Sequence, residues 1–338
     1  MKCFPSLIAV TLATVSLAAS AAELRVLSHS SFTVSKPLLA EFEKQNGAKV
    51  SIIKAGDAGE MLNKLILTRA NPIADVVFGI DNSLIGKAQQ AGVLAPVPAV
   101  LAQGGKAALP GAVSIDYGYV MLNYDKAWFA QRQLALPKTL EDLTKPAYKN
   151  LLVVQNPATS SPGLAFMLST VAAMGEDKAF AFWGRLRDNG LKVSKGWSES
   201  YYTDFSKNGG SRPLVVSYAT SPAAEVFYSK QKLSDAPTGN LPLKGGVFRQ
   251  VEGAALVKGG KEAALGEKFI AFLRSEAVQK DVTTTMWMYP VMDKVALDPV
   301  YRFAEQPAAH DTPDSKAIAE RSRQWVSRWT RVVLKGGQ

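Results

Sequence analysis

Ala74-Asp75-Val76-Val77-Phe78-Gly79 is the stretch on which the fold turns. A short, mostly apolar run closed by glycine fits a strand buried on both faces. Its surroundings keep the same rhythm. Upstream, residues 24–27 and 50–53 read as two further short strands. Between them Ser35 precedes Lys36-Pro37, a helix start with proline in its first turn, and Leu38, Leu39 and Phe42 share one face before Gly47 ends it. Met61, Leu62, Leu65 and Ile66 mark a second amphipathic helix, stopped ahead of Pro72; residues 83–91 form a third, closed by Gly92. Strand and helix alternating in this way predict a parallel sheet covered by helices.

The rest of the chain continues in that style. Residues 117–124, 151–155, 193–198 and 214–218 are strand-like, and 163–174 is helical. A strand over 251–257 leads into a helix over 262–275. The last helix, from about Ser315, carries Ile318, Trp325, Trp329 and Val333 at helical spacing, and its tryptophans are expected to be packing anchors. No Pro/Ser linker, repeat or low-complexity tract divides the chain. Two lobes joined by crossing strands are therefore expected, rather than two beads on a string.

The first residues speak to compartment. Met1-Lys2 is followed by an apolar run over 7–18 and by Ala19-Ser20-Ala21, the pattern of a secretory leader cleaved near Ala21 or Ala22. The run is too short to span a bilayer. The single cysteine, Cys3, lies inside this leader, so the mature chain has neither a disulfide nor a thiol nucleophile. The formal charge of +10 is spread along the chain with no dense basic cluster, which argues against a nucleic-acid module. His29 and His310 are the only histidines, and neither sits in a nucleophile-elbow or metal-ligand motif. Neither catalysis nor a metal site is expected.

Several segments, read together, resemble the periplasmic thiamine-binding proteins. They are Ala74-Asp75-Val76-Val77-Phe78-Gly79-Ile80-Asp81-Asn82, Asp116-Tyr117-Gly118-Tyr119, Thr159-Ser160-Ser161-Pro162-Gly163-Leu164, Lys195-Gly196-Trp197-Ser198-Glu199, Ser217-Tyr218-Ala219-Thr220-Ser221-Pro222 and Trp287-Met288-Tyr289-Pro290. They run in order from near the mature start almost to the end, where Gln324-Trp325 and Trp329 close the likeness. The resemblance implies an α/β, two-lobed periplasmic-binding-protein type II fold with hinge-crossing strands near Tyr117 and Val251. Its lobes would be 22–116 plus about 252–338, and about 117–251, after a signal peptide over 1–21. It further implies a monomer, without a cofactor, that captures thiamine, thiamine monophosphate or thiamine diphosphate and delivers it to an ABC permease in the inner membrane.

Thiamine joins a flat aminopyrimidine to a permanently cationic thiazolium, so its receptor needs aromatic faces and a compensating carboxylate. By motif match, Trp197, Tyr218 and Trp287 resemble the family's ring contacts, Asp57 its acidic residue and Ser160 its contact serine, with Ser161 beside it. Glu252, on a crossing strand, is a second acidic candidate. Each has a plainer reading. The tryptophans near Gly196 and Pro290 could plug loop packing, Asp57 could cap the helix after it, Ser160-Ser161-Pro162 could be only a helix start, and Glu252 could serve a hinge salt bridge. The chain departs from the family at His29, where a tyrosine is expected, and at Ala224, where an aromatic is. The rival readings are a ferric-iron receptor using Tyr201-Tyr202, a polyamine receptor, and a thiamine-degrading enzyme, which would need a cysteine.

Overall fold

In the computed structural model of the protein, residues 21–102 and 105–337 are described; the leader expected over 1–21 lies, but for its last residue, outside them. The first half of the chain builds β1 (Ala22–Ser28), α1 (Lys36–Asn46), β2 (Ala48–Lys54), α2 (Ala58–Leu67), β3 (Val76–Asp81), α3 (Ile85–Gln90), α4 (Ala99–Ala102), β4 (Val113–Asp125) and α5 (Lys126–Arg132). Then follow β5 (Leu152–Gln155), α6 (Ser161–Met174), α7 (Glu176–Asp188), β6 (Lys192–Ser194), α8 (Trp197–Glu199), β7 (Leu214–Tyr218) and α9 (Ser221–Phe227). The chain finishes with β8 (Thr238–Leu241), β9 (Phe248–Leu256), α10 (Ala263–Leu273), α11 (Glu276–Thr285), β10 (Tyr289–Pro290) and α12 (Ser315–Trp329).

Local chemistry sets the helix ends. Pro37 occupies the first turn of α1, and Gly47, at φ 57°, takes the left-handed cap that side chains avoid. Asp57 and Glu60 form a reciprocal capping box on α2. β3 is buried on both faces, as its apolar run predicts. Val76 and Phe78 pack with Phe42 of α1 and Phe269 of α10, while Val77 and Ile80 join Met61, Leu62 and Leu65 of α2.

All the strands belong to one sheet, in the order β2-β1-β3-β9-β4-β7-β5-β6, with β8 and β10 also paired to β4. The expected parallel pairing holds for β1–β2–β3 and again for β5–β6–β7. It fails in the middle, where β9 and β4 run antiparallel to each other and to β3 and β7. These two long strands pass from one α/β half to the other, and strands that carry the chain out and back must run in opposite senses. A second departure is local. The strand expected over 193–198 stops at Ser194, and Trp197 opens a short helix, because its N–H donates to Asp57 Oδ2 at 3.0 Å instead of to a ladder.

α12 packs against α3, α6 and α7. Gln90 of α3 donates to Ala319 O at 2.7 Å, and Glu176 of α7 accepts from Trp325 Nε1 at 3.0 Å and pairs with Arg321 and Arg328. Trp329 is fully buried, edge-on to Trp183 at 5.5 Å, so the tryptophans are packing anchors as expected. Trp329→Ala is expected to lower the unfolding free energy by about 3–5 kcal/mol. A denaturant midpoint within error of the parent's would refute this. Among the described residues no helix is long and apolar enough to cross a membrane.

Candidate ligand-binding cleft

A cavity of about 440 Å³ lies where the two halves face each other. The elements deliver its walls from their ends: His29 just after β1, Asp57 at the start of α2, Ser161 at the start of α6, Trp197 at the start of α8, Tyr218 at the end of β7 and Trp287 just before β10. Glu252 enters from within β9. The structure thus gathers every candidate except Ser160, which is buried, caps nothing with its side chain and does not line the cavity. One position along the helix start separates the two serines: Ser161 lines the cavity and Ser160 does not.

Trp197 is held on three sides. Its ring stacks on Tyr201 at 5.0 Å and 18°, meets Tyr202 edge-on at 5.4 Å, and donates from Nε1 to Ser217 Oγ at 2.8 Å. Trp287 is held differently: its backbone sits at φ 58°, a left-handed conformation uncommon for a bulky residue. Thr220 donates to its carbonyl at 2.6 Å, and Tyr301 stacks on its ring at 6.1 Å and 18°. Tyr218 lies at 62° to the Trp197 ring and donates to Gln250 Oε1 at 3.3 Å. Asp57 does two jobs at once, since Oδ1 caps α2 through Ala58 N–H while Oδ2 holds Trp197 N–H.

Two further buried carboxylates flank Glu252 without lining the cavity. Register places Asp81, Glu252 and Asp116 side by side across β3, β9 and β4, where like charges oppose one another. Burial, with the Glu252 charge adding, pushes Asp81 up to about 7, although Ser83 N–H and Oγ and Leu84 N–H all donate to Oδ1. Burial and Glu252 likewise hold Asp116 well above the ordinary carboxyl range. Glu252 accepts from Gln250 at 3.1 Å and faces His29 Nε2 at 3.3 Å, a distance of charge pairing without good hydrogen-bond alignment. Burial opposes a charge on His29, but Glu252, with Asp57 and Asp81, outweighs it and raises its pKa. Gly79, at φ 96°, makes the room: a Cβ there would lie 2.1 Å from the imidazole.

Sequence reasoning missed Asp81 and Asp116, which flank Glu252 without lining the cavity. Their signal was present, an acidic residue inside an apolar strand. It also left out Thr220, Ser221, Glu225, Tyr228, Met286 and Met288, which line the cavity from loops and short helices without a periodic pattern. Ala224, the small residue at an expected aromatic position, is in the lining too. Among the described residues, three carboxylates, Asp57, Glu225 and Glu252, face the cavity, and no Lys or Arg does. Such a space suits a flat cation.

The tyrosine pair of the iron reading does not converge. Tyr201 donates to Glu225 at 3.0 Å, whereas Tyr202 is largely exposed with its ring at 83° to its neighbour's. Among the described residues no group of three or more His, Cys, Asp or Glu is placed to hold a metal ion.

Residues 71–308 match the family model of the bacterial extracellular solute-binding proteins. The thiamine-binding periplasmic protein of Salmonella typhimurium is 34% identical over 300 residues, covering 87% of this chain and 87% of that protein. A solved periplasmic thiamin binding protein superposes with a TM-score of 0.80 at 30% identity, over 92% of this chain and 96% of that one. The ferric binding protein from Campylobacter jejuni superposes with a TM-score of 0.72 at 20% identity, over 91% and 99%, which is a likeness of fold alone. The fold is that of the type II periplasmic binding proteins.

Proposed function

This chain belongs to the bacterial extracellular solute-binding proteins, alongside the thiamine-binding periplasmic proteins, and we propose that its interlobe cleft captures thiamine through the residues gathered above. The observation that carries this reading is the cavity itself: the rings of Trp197, Tyr218 and Trp287 with three carboxylates and, among the described residues, no Lys or Arg. A permanent cation is costly to bury without a partner charge, and Asp57 and Glu252 supply it. The exposed face of Trp197 adds a cation–π contact. The protein acts as the periplasmic binding component of a transporter. We further read the leader as cleaved near Ala21 or Ala22, the passages near Tyr117 and Val251 as the hinge, and an inner-membrane ABC permease as the recipient. No chemical step is assigned to any residue.

Nanomolar capture requires about 12 kcal/mol, which no single contact provides. Rings, carboxylates and the hydroxyls of Ser161, Thr220 and Ser221 must act together. An ester phosphate would meet only those neutral donors, so thiamine is expected to bind at least as tightly as its diphosphate. The test is a titration of ligand-stripped protein with thiamine, its mono- and diphosphate, ferric citrate and putrescine, followed by tryptophan fluorescence. Saturable quenching by thiamine, without iron-dependent colour or a putrescine response, is the expected result. A response to ferric citrate or putrescine alone would overturn the reading.

A further inference from the structure

Gly59 is a glycine where the backbone does not call for one. It sits in the first turn of α2 with ordinary helical geometry, and alanine in a helix is worth about 1 kcal/mol more than glycine. Space supplies the reason. A Cβ on Gly59 would stand 2.7 Å from both the carbonyl carbon and oxygen of Thr159, and 3.0 Å from its Cα. Those are backbone atoms, which cannot swing aside as the end of a side chain can. Thr159 lies between β5 and α6, in the half opposite to the one that holds α2.

The surrounding contacts all cross the same gap. Glu60 N–H donates to Thr159 O at 3.2 Å, Trp197 N–H donates to Asp57 Oδ2 at 3.0 Å, and Lys195 Nζ meets Glu60 Oε1 at 2.7 Å. Thr159 Oγ1 donates to Lys195 O at 2.6 Å, so the two loops that receive α2 move as one surface. Gly196 repeats the device, since a Cβ there would lie 3.1 Å from Asp57 Oδ2. Neither Gly59 nor Thr159 lines the cavity.

We propose that the first turn of α2 is the latch that closes the cleft, and that the bare backbone at Gly59 lets the two halves approach closely enough to enclose a ligand. Gly59 and Thr159 themselves make no contact with the ligand. The latch sets how much of the time the halves are together, and a receptor whose competent state is less populated binds more weakly in proportion. A methyl group at position 59 props the halves apart while favouring the helix that carries it. The consequence for thiamine rests on the function proposed above; the closure itself does not.

The test separates the two. In a Cys3→Ser background, Glu60→Cys and Lys195→Cys place thiols on either side of the gap, and a short bifunctional thiol reagent bridges them only when the cleft is shut. Adding Gly59→Ala is expected to slow bridging by roughly tenfold or more, with single-site labelling unchanged and the ligand-free melting temperature equal or higher. In the otherwise native chain, Gly59→Ala is expected to weaken thiamine binding by a similar factor. Gly196→Ala should move both readings the same way by less, and it serves should Gly59→Ala fold poorly. Equal bridging rates with glycine and alanine would overturn the latch, whatever thiamine does. A parent that bridges efficiently but ignores thiamine would instead count against the proposed ligand.

Discussion

Trp197→Ala is expected to weaken thiamine binding by about a hundredfold or more while shifting the ligand-free melting temperature only slightly. Stacking on Tyr201, an edge contact from Tyr202 and the Nε1–H bond to Ser217 fix the ring before any ligand arrives. A preorganised face loses little freedom on binding, so nearly all of its contact energy appears as affinity. A desolvated cation over an indole gains about 2 kcal/mol or more, and ring stacking about 0.5–1.5 kcal/mol. Together these approach the ~2.7 kcal/mol that a hundredfold represents.

Trp287→Ala should cost markedly less, about tenfold. Both rings have one face covered, but Tyr301 lies 6.1 Å from Trp287 against 5.0 Å for Tyr201 on Trp197. The Trp287 Nε1–H reaches only the exposed Tyr228 hydroxyl at 3.3 Å, against 2.8 Å from Trp197 to Ser217, so Trp287 is less firmly preorganised. Motif matching treats the two tryptophans alike; their packing does not. Calorimetry on both variants decides the matter, and a larger loss at Trp287 would invert the assignment of the principal stacking face.

That contrast marks where the sequence runs out. β1 to β3 and their helices are legible because local chemistry decides them: apolar runs for strands, Pro37 and Gly47 at the ends of α1, Asp57 ahead of α2. The short helix at Trp197 is not, because the partner that draws its N–H out of a strand is Asp57, far away in the chain. The antiparallel centre of the sheet escapes for a related reason. Nothing within β4 or β9 records which way its neighbour runs. Seven of the expected site residues converge since each stands at the end of an element or on a crossing strand, where such a fold opens its cleft. Ser160 falls outside it by one step of a helix start. The acid row is invisible until strand register brings Asp81, Glu252 and Asp116 together.

That row makes both stability and binding depend on pH, in opposite senses. Asp81 titrates near 7 in the folded protein and near 3.8 when unfolded, so between those values the native state holds a proton that the unfolded chain has released. Native stability then falls as pH rises, by up to about 1.4 kcal/mol per pH unit for a full proton of difference. Asp116, raised by burial and Glu252, acts in the same direction. So does His29, whose raised pKa contributes stability at low pH that is lost as pH climbs through the folded value. Asp57 also faces His29, and the hydroxyl of Tyr218, beside Glu252, is kept protonated by burial throughout this range. The ligand-free protein should therefore melt lower at pH 8 than at pH 5. A cation in the cleft favours ionised carboxylates and a neutral imidazole, so its capture expels protons, and affinity should rise with pH over the same window. Calorimetry at one pH in buffers of different ionisation heat counts the protons released. Asp81→Asn, which keeps an oxygen for the Ser83 and Leu84 donors, should flatten the stability profile and raise the melting temperature at pH 8. An affinity independent of pH, with no buffer dependence in the heat, would mean that the acid row is silent toward the ligand above it.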